Sequence, residues 1–495
     1  MIDSGHLLLQ SVVAPLIASP IVMAFGRRLG RRVGWIALMS LAYSLSCLLA
    51  AGYLVNVLGS PLQATYPWAQ LLGDIILLFD GLSGPVALTV AAVGILACIY
   101  SIIYMDLRDG WGGYFSLYLL FNAGMLGTVL SMNLAIFFLF LELMLVSSWL
   151  LIAVWGEEDR WRAALKYFLY TEAGALAILA GIGLTYSNTG TLNILELPSR
   201  AAGLSQTILS PIASLMILGL LVKMAIFPLH SWLPDAYVQS PAPVTAIFSA
   251  GTGIGGYAAL RVIYTAFPQI MGQRGFMLAL LILALVTMIY GGYLALAQNR
   301  LKRLLAYSSI SQMGYMLLGI ASASMIGLVG AVLIYVAHSL SKAALFMISG
   351  MLSRAIGTDN LDELGGLAGR MRTTSIALMI GFLSLMGYPP LLGFWGELFI
   401  FAGSIYTALH SSIDMPRLAL TIIAIIFSLI TAGYGLWAVR RSLFGEESEA
   451  VRRAGAEPRL MLCPIIASAI LLVILGVYPT TLTNFLEALA ALFPG

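Results

Sequence analysis

The feature that most constrains this chain is an apolar run about twenty residues long, repeated from one end to the other, the length an α-helix needs to cross the hydrocarbon core of a bilayer. Such runs, bounded by Gly, Pro or charge, fall near 7–25, 33–57, 81–105, 112–130, 132–155, 163–186, 207–227, 241–266, 275–297, 301–321, 325–352, 373–405, 416–439 and 461–480. Only 9% of the 495 residues are charged and 60% are hydrophobic, whereas soluble chains carry about a quarter charged residues. Mean hydropathy is +0.96. The pattern predicts an all-α integral membrane protein of about fourteen transmembrane helices, with no room for a separate soluble domain.

A net charge of +3, spread along the chain, does not suit nucleic-acid binding. Cys47, Cys98 and Cys463 lie far apart in apolar stretches and lack the spacing of a zinc or cluster site. The first apolar segment precedes Arg27, Arg28, Arg31 and Arg32, the reverse of the basic-then-apolar order of a cleavable signal, so it is expected to remain as the first span. With the amino terminus outside, the inner loops hold those four arginines and Arg108, Arg160, Arg162, Arg300, Lys302, Arg303, Arg354, Arg370, Arg372, Arg440, Arg441, Arg452, Arg453 and Arg459. The outer loops hold Arg200, Arg274 and Arg417, with Arg261 near that side. Miscounting one span would swap every later loop and blur this bias, so the asymmetry supports the count.

Two spans are interrupted. The seventh runs into Pro228-Leu-His-Ser-Trp-Leu-Pro234, and the twelfth contains Gly387-Tyr-Pro389-Pro390. Proline removes a helix hydrogen bond, and broken backbone at membrane depth is tolerated only inside protein or beside a wet cavity. Breaks in corresponding positions of two halves point to an inverted repeat around an ion path. The predicted organisation is 1–111 for the first three helices, 112–270 and 271–440 for two inverted five-helix repeats, and 441–495 for an inner loop and the last helix.

An ionisable side chain at the centre of a span costs roughly 2.5–3.5 kcal/mol on insertion scales, so such residues tend to be paired, inward-facing and functional. Five stand out: Glu142, Lys223, His338, Lys342 and Glu397. Lys223 just precedes the first break, and Glu142 is its expected partner. Losing that partner would lower the lysine's hold on its proton, which suits a proton carrier. His338 and Lys342 are four residues apart on one helix face, and Glu397 follows the second break by about two turns. Blander roles compete: an architectural Glu142–Lys223 pair, an interhelical hydrogen bond from His338, a snorkelling Lys342, and Glu397 as a cap of the second half-helix. Gly251, Gly253 and Gly256 satisfy GxGxxG, but no strand precedes them, so they read as helix packing. His230 and Asp235 lack a third metal ligand.

The string Lys223-Met-Ala-Ile-Phe-Pro228-Leu-His230-Ser-Trp232-Leu-Pro234-Asp235-Ala, followed by Ser240-Pro-Ala-Pro243-Val, resembles the signature of the antiporter-like subunits shared by complex I, membrane-bound hydrogenases and multisubunit sodium/proton antiporters. Leu301-Lys-Arg-Leu-Leu-Ala-Tyr307 through Gly314-Tyr, His338-Ser-Leu-Ser-Lys342-Ala-Ala-Leu-Phe, and Gly387 through Glu397 agree in order, and the likeness covers about 80–480. By this resemblance Glu142 is the acid of the fifth helix, Lys223 the lysine of the broken seventh and His338 the relay of the eleventh. Glu397 favours the M-type (chain 4) subunit of NADH:quinone oxidoreductase and related deazaflavin-dependent dehydrogenases. An L-type subunit would need a long lateral helix, and this chain stops at Pro494-Gly495. One departure is the eighth helix, where many relatives carry Lys or His and this sequence has Gly253, or a neighbour, which would route the relay through water near Ser249 and Thr252.

The resemblance implies a translocase subunit, in the cell membrane of a prokaryote, that couples electron transfer elsewhere to proton pumping. It implies no cofactor and no metal on this chain; flavin, iron–sulfur clusters and quinone would belong to other membrane subunits and a peripheral redox arm. The alternatives are a subunit of a multisubunit sodium/proton antiporter, a subunit of a membrane-bound hydrogenase or formate hydrogenlyase, or an inactive spacer.

Overall fold

The computed structural model describes residues 5–105, 110–410, 413–455 and 457–487; Arg108 of the inner loops and the end at Pro494-Gly495 lie outside them. Thirteen stretches among the described residues are long and apolar enough to cross a membrane, and the first, His6–Leu58, holds two helices. The spans are α1 His6–Leu29, α2 Val33–Leu58, α3 Ser83–Tyr104, α4 Trp111–Leu130, α5 Leu134–Trp155 and α6 Arg160–Thr189. The seventh is broken into α7a Gln206–Lys223 and α7b Trp232–Gln239, and α8 Ala242–Leu260 continues as a wider turn through Ala266. Then come α9 Arg274–Leu296, α10 Leu301–Ala321, α11 Met325–Ile356, the broken pair α12a Arg372–Leu385 and α12b Leu392–Leu409, α13 Met415–Leu443 and α14 Arg459–Val477. Fourteen crossings result, within a few residues of the apolar runs.

One element departs from the all-helical expectation. Strands β1 Leu62–Ala69 and β2 Gly73–Phe79 pair antiparallel, Leu62 opposite Phe79. The alternation of buried and exposed residues from Leu62 to Thr65 is the period of two that a half-buried strand requires. The hairpin seals the outer end of the first repeat: Met132 N donates to Ile76 O (2.8 Å) and Asn133 Nδ2 to Leu72 O (2.8 Å) and Asp74 O (3.0 Å). The Asn133 Oδ1 atom meanwhile caps α5 at Ala135 N (2.8 Å).

The inverted repeat is written in the hydrogen bonds. In the first half Leu134 N donates to Leu192 O (2.9 Å) and Ile194 N to Met132 O (2.8 Å); in the second Leu301 N donates to Asp359 O (2.9 Å) and Leu361 N to Asn299 O (2.8 Å). Asn133 bridges Asn193 as Arg300 bridges Asn360. The first set lies at the outer end of α5 and α6, the second at the inner end of α10 and α11, so the halves have opposite orientation.

Both breaks share one device. Ala225 N donates to Val222 O (3.0 Å) and Ile226 N to Leu221 O (3.0 Å), while Gly387 N donates to Ser384 O (3.2 Å) and Tyr388 N to Leu383 O (3.0 Å). Ala225 and Gly387 take left-handed φ values of 54° and 65°. This is the double hydrogen bond of a Schellman end, and the proline just beyond prevents the helix from resuming. Backbone groups freed by the breaks find side chains: Trp232 Nε1 donates to Val222 O (3.1 Å), Phe227 N to Thr287 Oγ1 (3.1 Å), and Gln312 Nε2 to Leu385 O (3.0 Å).

The apolar stretches of α8 and α11 are wholly buried and that of α10 nearly so, whereas α6, α12b and α13 turn much of their surface outward. Large outward residues there, such as Leu169, Ile426 and Leu429, suit a lipid-facing rim. At the outer end, Arg261 of the α8 extension grips Asp80 with two hydrogen bonds (2.8 and 2.5 Å) and donates to Tyr257 Oη (2.9 Å). Burial pushes the Asp80 carboxyl up, but the Arg261 guanidinium and the hydrogen bonds outweigh it and hold the group below the usual carboxylate value. Asp414 caps α13, and its hydrogen bonds from Arg274 likewise keep it low.

Replacing Asp80 by Asn leaves the Arg261 charge buried without its counter-ion, which costs about 3–5 kcal/mol. The unfolding midpoint of the purified protein in detergent should fall clearly, and the double variant Asp80→Leu/Arg261→Leu should lose less than Asp80→Asn alone. Equal midpoints for wild type and Asp80→Asn would refute a structural role for the pair.

Candidate proton path

Lys223 is the last residue of α7a, where the negative end of the helix dipole favours a cation. It is buried, and Nζ stands 5.8 Å from the centre of the Tyr167 ring, whose hydroxyl meets Ser148 Oγ at 2.8 Å. Glu142, half-buried on α5, feels the charges of Lys223 and of Glu172 on α6. The expected partnership is therefore electrostatic: among the described residues the structure has no direct Lys223–Glu142 ion pair, and Glu142 Oε1 has no protein partner. Glu172 was not singled out in the sequence, although a carboxylate inside the apolar run 163–186 is the same signal that marked Glu142.

Between α7 and α11 the lining is hydroxylic. Thr252 Oγ1 and Tyr237 Oη are 2.7 Å apart, Tyr237 donates to Phe248 O (3.1 Å), and Ser249 Oγ donates to Ala246 O (2.6 Å) and Ser339 O (3.1 Å). At Gly253 a Cβ would collide with the Tyr335 ring, and Tyr335 Oη donates to Ala250 O (3.2 Å). The space beside Gly253 is thus filled by an aromatic ring from α11. The other GxGxxG glycines sit in the same buried helix, Gly251 against Phe121 and Gly256 against Met316.

His338 and Lys342 both lie fully buried on α11. Lys342 Nζ donates to Leu305 O (2.8 Å) and to Ser308 Oγ on α10, so the lysine is anchored inside the protein rather than snorkelling. Neither His338 nitrogen has a protein hydrogen-bond partner, so the reading of His338 as a satisfied interhelical donor does not hold.

Glu397 sits in the second turn of α12b, and Leu391 occupies the cap position without a side-chain bond, so Glu397 is not the helix cap. Its carboxylate folds back over the break: a Cβ on Gly387 would stand 2.6 Å from Glu397 Oε2. Tyr315 and Tyr434 lie within its electrostatic reach, and Oε1 has no protein partner. By the matched breaks, the counterpart of Lys223 is Leu385, and that of Glu397 is Asp235. Asp235 pairs with Lys166 (2.7 Å), while His230 rests against the Phe227 and Tyr290 rings. No three metal-ligating side chains cluster among the described residues.

Two opposed repeats, each with a broken helix beside ionisable groups, define an ion-translocating membrane bundle. The family model for the transmembrane part of NADH:quinone oxidoreductases and Mrp antiporters matches residues 131–431, and the chain belongs to that family. It is 31% identical over 440 residues, 86% of each chain, to F(420)H(2) dehydrogenase subunit M of Methanosarcina mazei. It is 33% identical to NAD(P)H-quinone oxidoreductase chain 4 1 of Synechococcus sp., covering 95% of this chain and 90% of the relative. Among solved structures, respiratory complex I of Thermus thermophilus matches with a TM-score of 0.84 at 25% identity, covering 99% and 100% of the two chains. The Mrp complex of Dietzia sp. matches at 0.85 and 27%, with 97% of this chain spanning 51% of that one, about half its length.

Gly387→Ala places a methyl group against the Glu397 carboxylate and forces a left-handed backbone, which costs about 1–2 kcal/mol before the clash is counted. The variant should unfold at lower temperature, and adding Glu397→Ala should recover the steric part. Strictly additive losses would show that the two residues do not touch.

Proposed function

We propose that this chain is the proton-translocating, antiporter-like subunit of a complex I-like respiratory oxidoreductase, in which a donor such as NADH reduces quinone on other subunits. Flavin and iron–sulfur clusters would sit in the peripheral arm, and this chain would supply a route for protons. Residues 112–270 and 271–440 form the two functional halves, flanked by 1–111 and 441–495. The single observation that carries the reading is the placement of Lys223 at one helix break and Glu397 at the other, with buried hydroxyls, His338 and Lys342 between them.

The relay works as follows. With Glu142 ionised nearby, Lys223 keeps its proton; when that charge is withdrawn or shifted toward Glu172, burial drives the proton off the lysine. The proton then passes through water near Thr252 and Ser249 toward His338. His338 can take the proton on either free nitrogen and pass charge to Lys342 four residues on. Glu397 is the terminal group, its carboxylate lying against the opened backbone of the second break.

The likeness to the Mrp complex favours a second reading, an ion exchanger driven by the membrane potential or an ion gradient alone. The same side chains would serve it. The fuller coverage of the quinone oxidoreductase and F(420)H(2) dehydrogenase relatives supports the first.

In the isolated complex reconstituted in liposomes, Lys223→Met should abolish proton translocation carried through this subunit while leaving electron transfer to artificial acceptors intact. Glu142→Gln and Glu397→Gln should each slow it by about 10²-fold, the scale of losing a positioned acid–base group. Translocation by Lys223→Met at the wild-type rate would sink the relay. Subunits identified by mass spectrometry distinguish the two readings: iron–sulfur proteins accompany the first, only small membrane subunits the second.

A further inference from the structure

On the outward face of the second repeat, α12a and α14 pack side by side and run in the same direction, both starting at the inner surface. A furrow of about 400 Å³ lies between them and shares no lining residue with the relay. Ala377 and Ala469, one from each helix, are buried and form its floor. Ile376 stands on one rim at 49% exposed, and Ile470 and Ile474 stand on the other at 51% and 49%. Isoleucine is stiff at χ1, so these walls keep their shape without an occupant. Along α14 the lining recurs at Ile466, Ile470 and Ile474, one turn apart, which makes the furrow about 12 Å long.

The furrow is apolar except at its inner end, where Arg372 and Thr373 line it. Among the described residues the Arg372 guanidinium has neither an ion pair nor a hydrogen bond. Its neighbours are already engaged. Glu457 Oε1 accepts from Thr374 N (2.9 Å) and Thr374 Oγ1 (3.0 Å), and Arg370 donates to Ala454 O (3.4 Å). An unpaired arginine at the level of the headgroups, above an apolar furrow open to the bilayer, is complemented by a molecule with an anionic head and a hydrocarbon tail. The inner leaflet, whose surface is negative, supplies such molecules. The furrow carries no polar group beyond Thr373, and its continuous length suits an unbranched chain; a neighbouring helix would fill it only with side chains spaced a turn apart.

We propose that this furrow binds one anionic phospholipid of the inner leaflet, with its phosphate on the Arg372 guanidinium and one acyl chain laid over Ala377 and Ala469. The Thr373 hydroxyl, at the same end, donates to a second oxygen of the head. The lipid bridges the first half of the broken twelfth helix to α14. The second half already holds α14 through Trp395 Nε1, which donates to Gly476 O (2.8 Å). With the lipid in place, both halves of the break are braced against one helix. The site stands on the furrow and its arginine and does not depend on the route of the proton.

The test titrates the full chain, purified in detergent, with dioleoylphosphatidylglycerol and with dioleoylphosphatidylcholine, which has the same chains and no net charge. Native mass spectrometry follows the tightest-bound lipid. The expected result is one retained phosphatidylglycerol, preferred over phosphatidylcholine, with Arg372→Gln weakening it about tenfold, the low end for losing a hydrogen bond to a charged group. Ala469→Phe fills the floor and should expel that lipid; Arg372→Gln, a change at an exposed position, serves if this variant folds poorly. Equal affinity for the two lipids, phosphatidylglycerol binding unchanged by Arg372→Gln, or a lipid retained in folded Ala469→Phe overturns the site. In the native complex, Ile470→p-benzoylphenylalanine should cross-link to phospholipid on irradiation. An adduct to another subunit in its place would show that a partner's helix covers the furrow, and would equally overturn the proposal.

Discussion

The structure depends on a single constraint: a helix opened at membrane depth must find partners for its backbone without water. Each freed peptide group left unpaired in hydrocarbon would cost several kcal/mol. Here both breaks close on themselves with the same pair of reversed hydrogen bonds, and neighbouring helices supply the rest through Trp232, Thr287 and Gln312. Those three side chains come from α7b, α9 and α10, so each break is fastened by its second half-helix or by a neighbouring helix. An ionisable group placed at such a break sits among fixed dipoles rather than bare hydrocarbon, which is what lets Lys223 and Glu397 exist there.

The backbone device is symmetric but the chemistry is not. Leu385 stands where the first repeat has Lys223, and Asp235, the counterpart of Glu397, is tied to Lys166 near the inner surface. The first break therefore carries a cation at the end of a helix, and the second carries an acid folded over the gap. Ala225 accepts a left-handed backbone that Gly387 adopts freely, and only the glycine leaves room for a carboxylate. A duplicated fold has thus been given one basic and one acidic terminus, a polarity that a relay running in one direction can use.

Much of this was legible in the sequence because hydropathy is imposed by the solvent. The spans, the two breaks and the five ionisable groups inside the apolar runs could be read from residue types alone, since a bilayer tolerates few exceptions. The hairpin 62–79 was not, because its strands are short and Ile75 to Phe79 reads equally as the start of the third span. Contacts were less legible still. Nothing in the spacing says that Lys342 is held by α10, that the Glu397 carboxylate turns back onto Gly387, or that Asp80 meets Arg261 across 181 positions. Such pairings depend on which helix faces meet, and apolar helices with weak amphipathicity do not declare their faces.

The eighth helix shows how a missing side chain can be absorbed. A cation at Gly253 would project into the space that the Tyr335 ring fills, so ring and cation exclude one another. On α11 the buried cation Lys342 is fixed to a carbonyl and a hydroxyl of α10. Lys223 and His338 are then separated by neutral hydroxyls rather than by a second lysine. On the proposed reading this removes like-charge repulsion between two cations in a low-dielectric interior, so a proton leaving Lys223 meets groups that can pass it without already holding a charge. On that reading the relay gains a neutral middle.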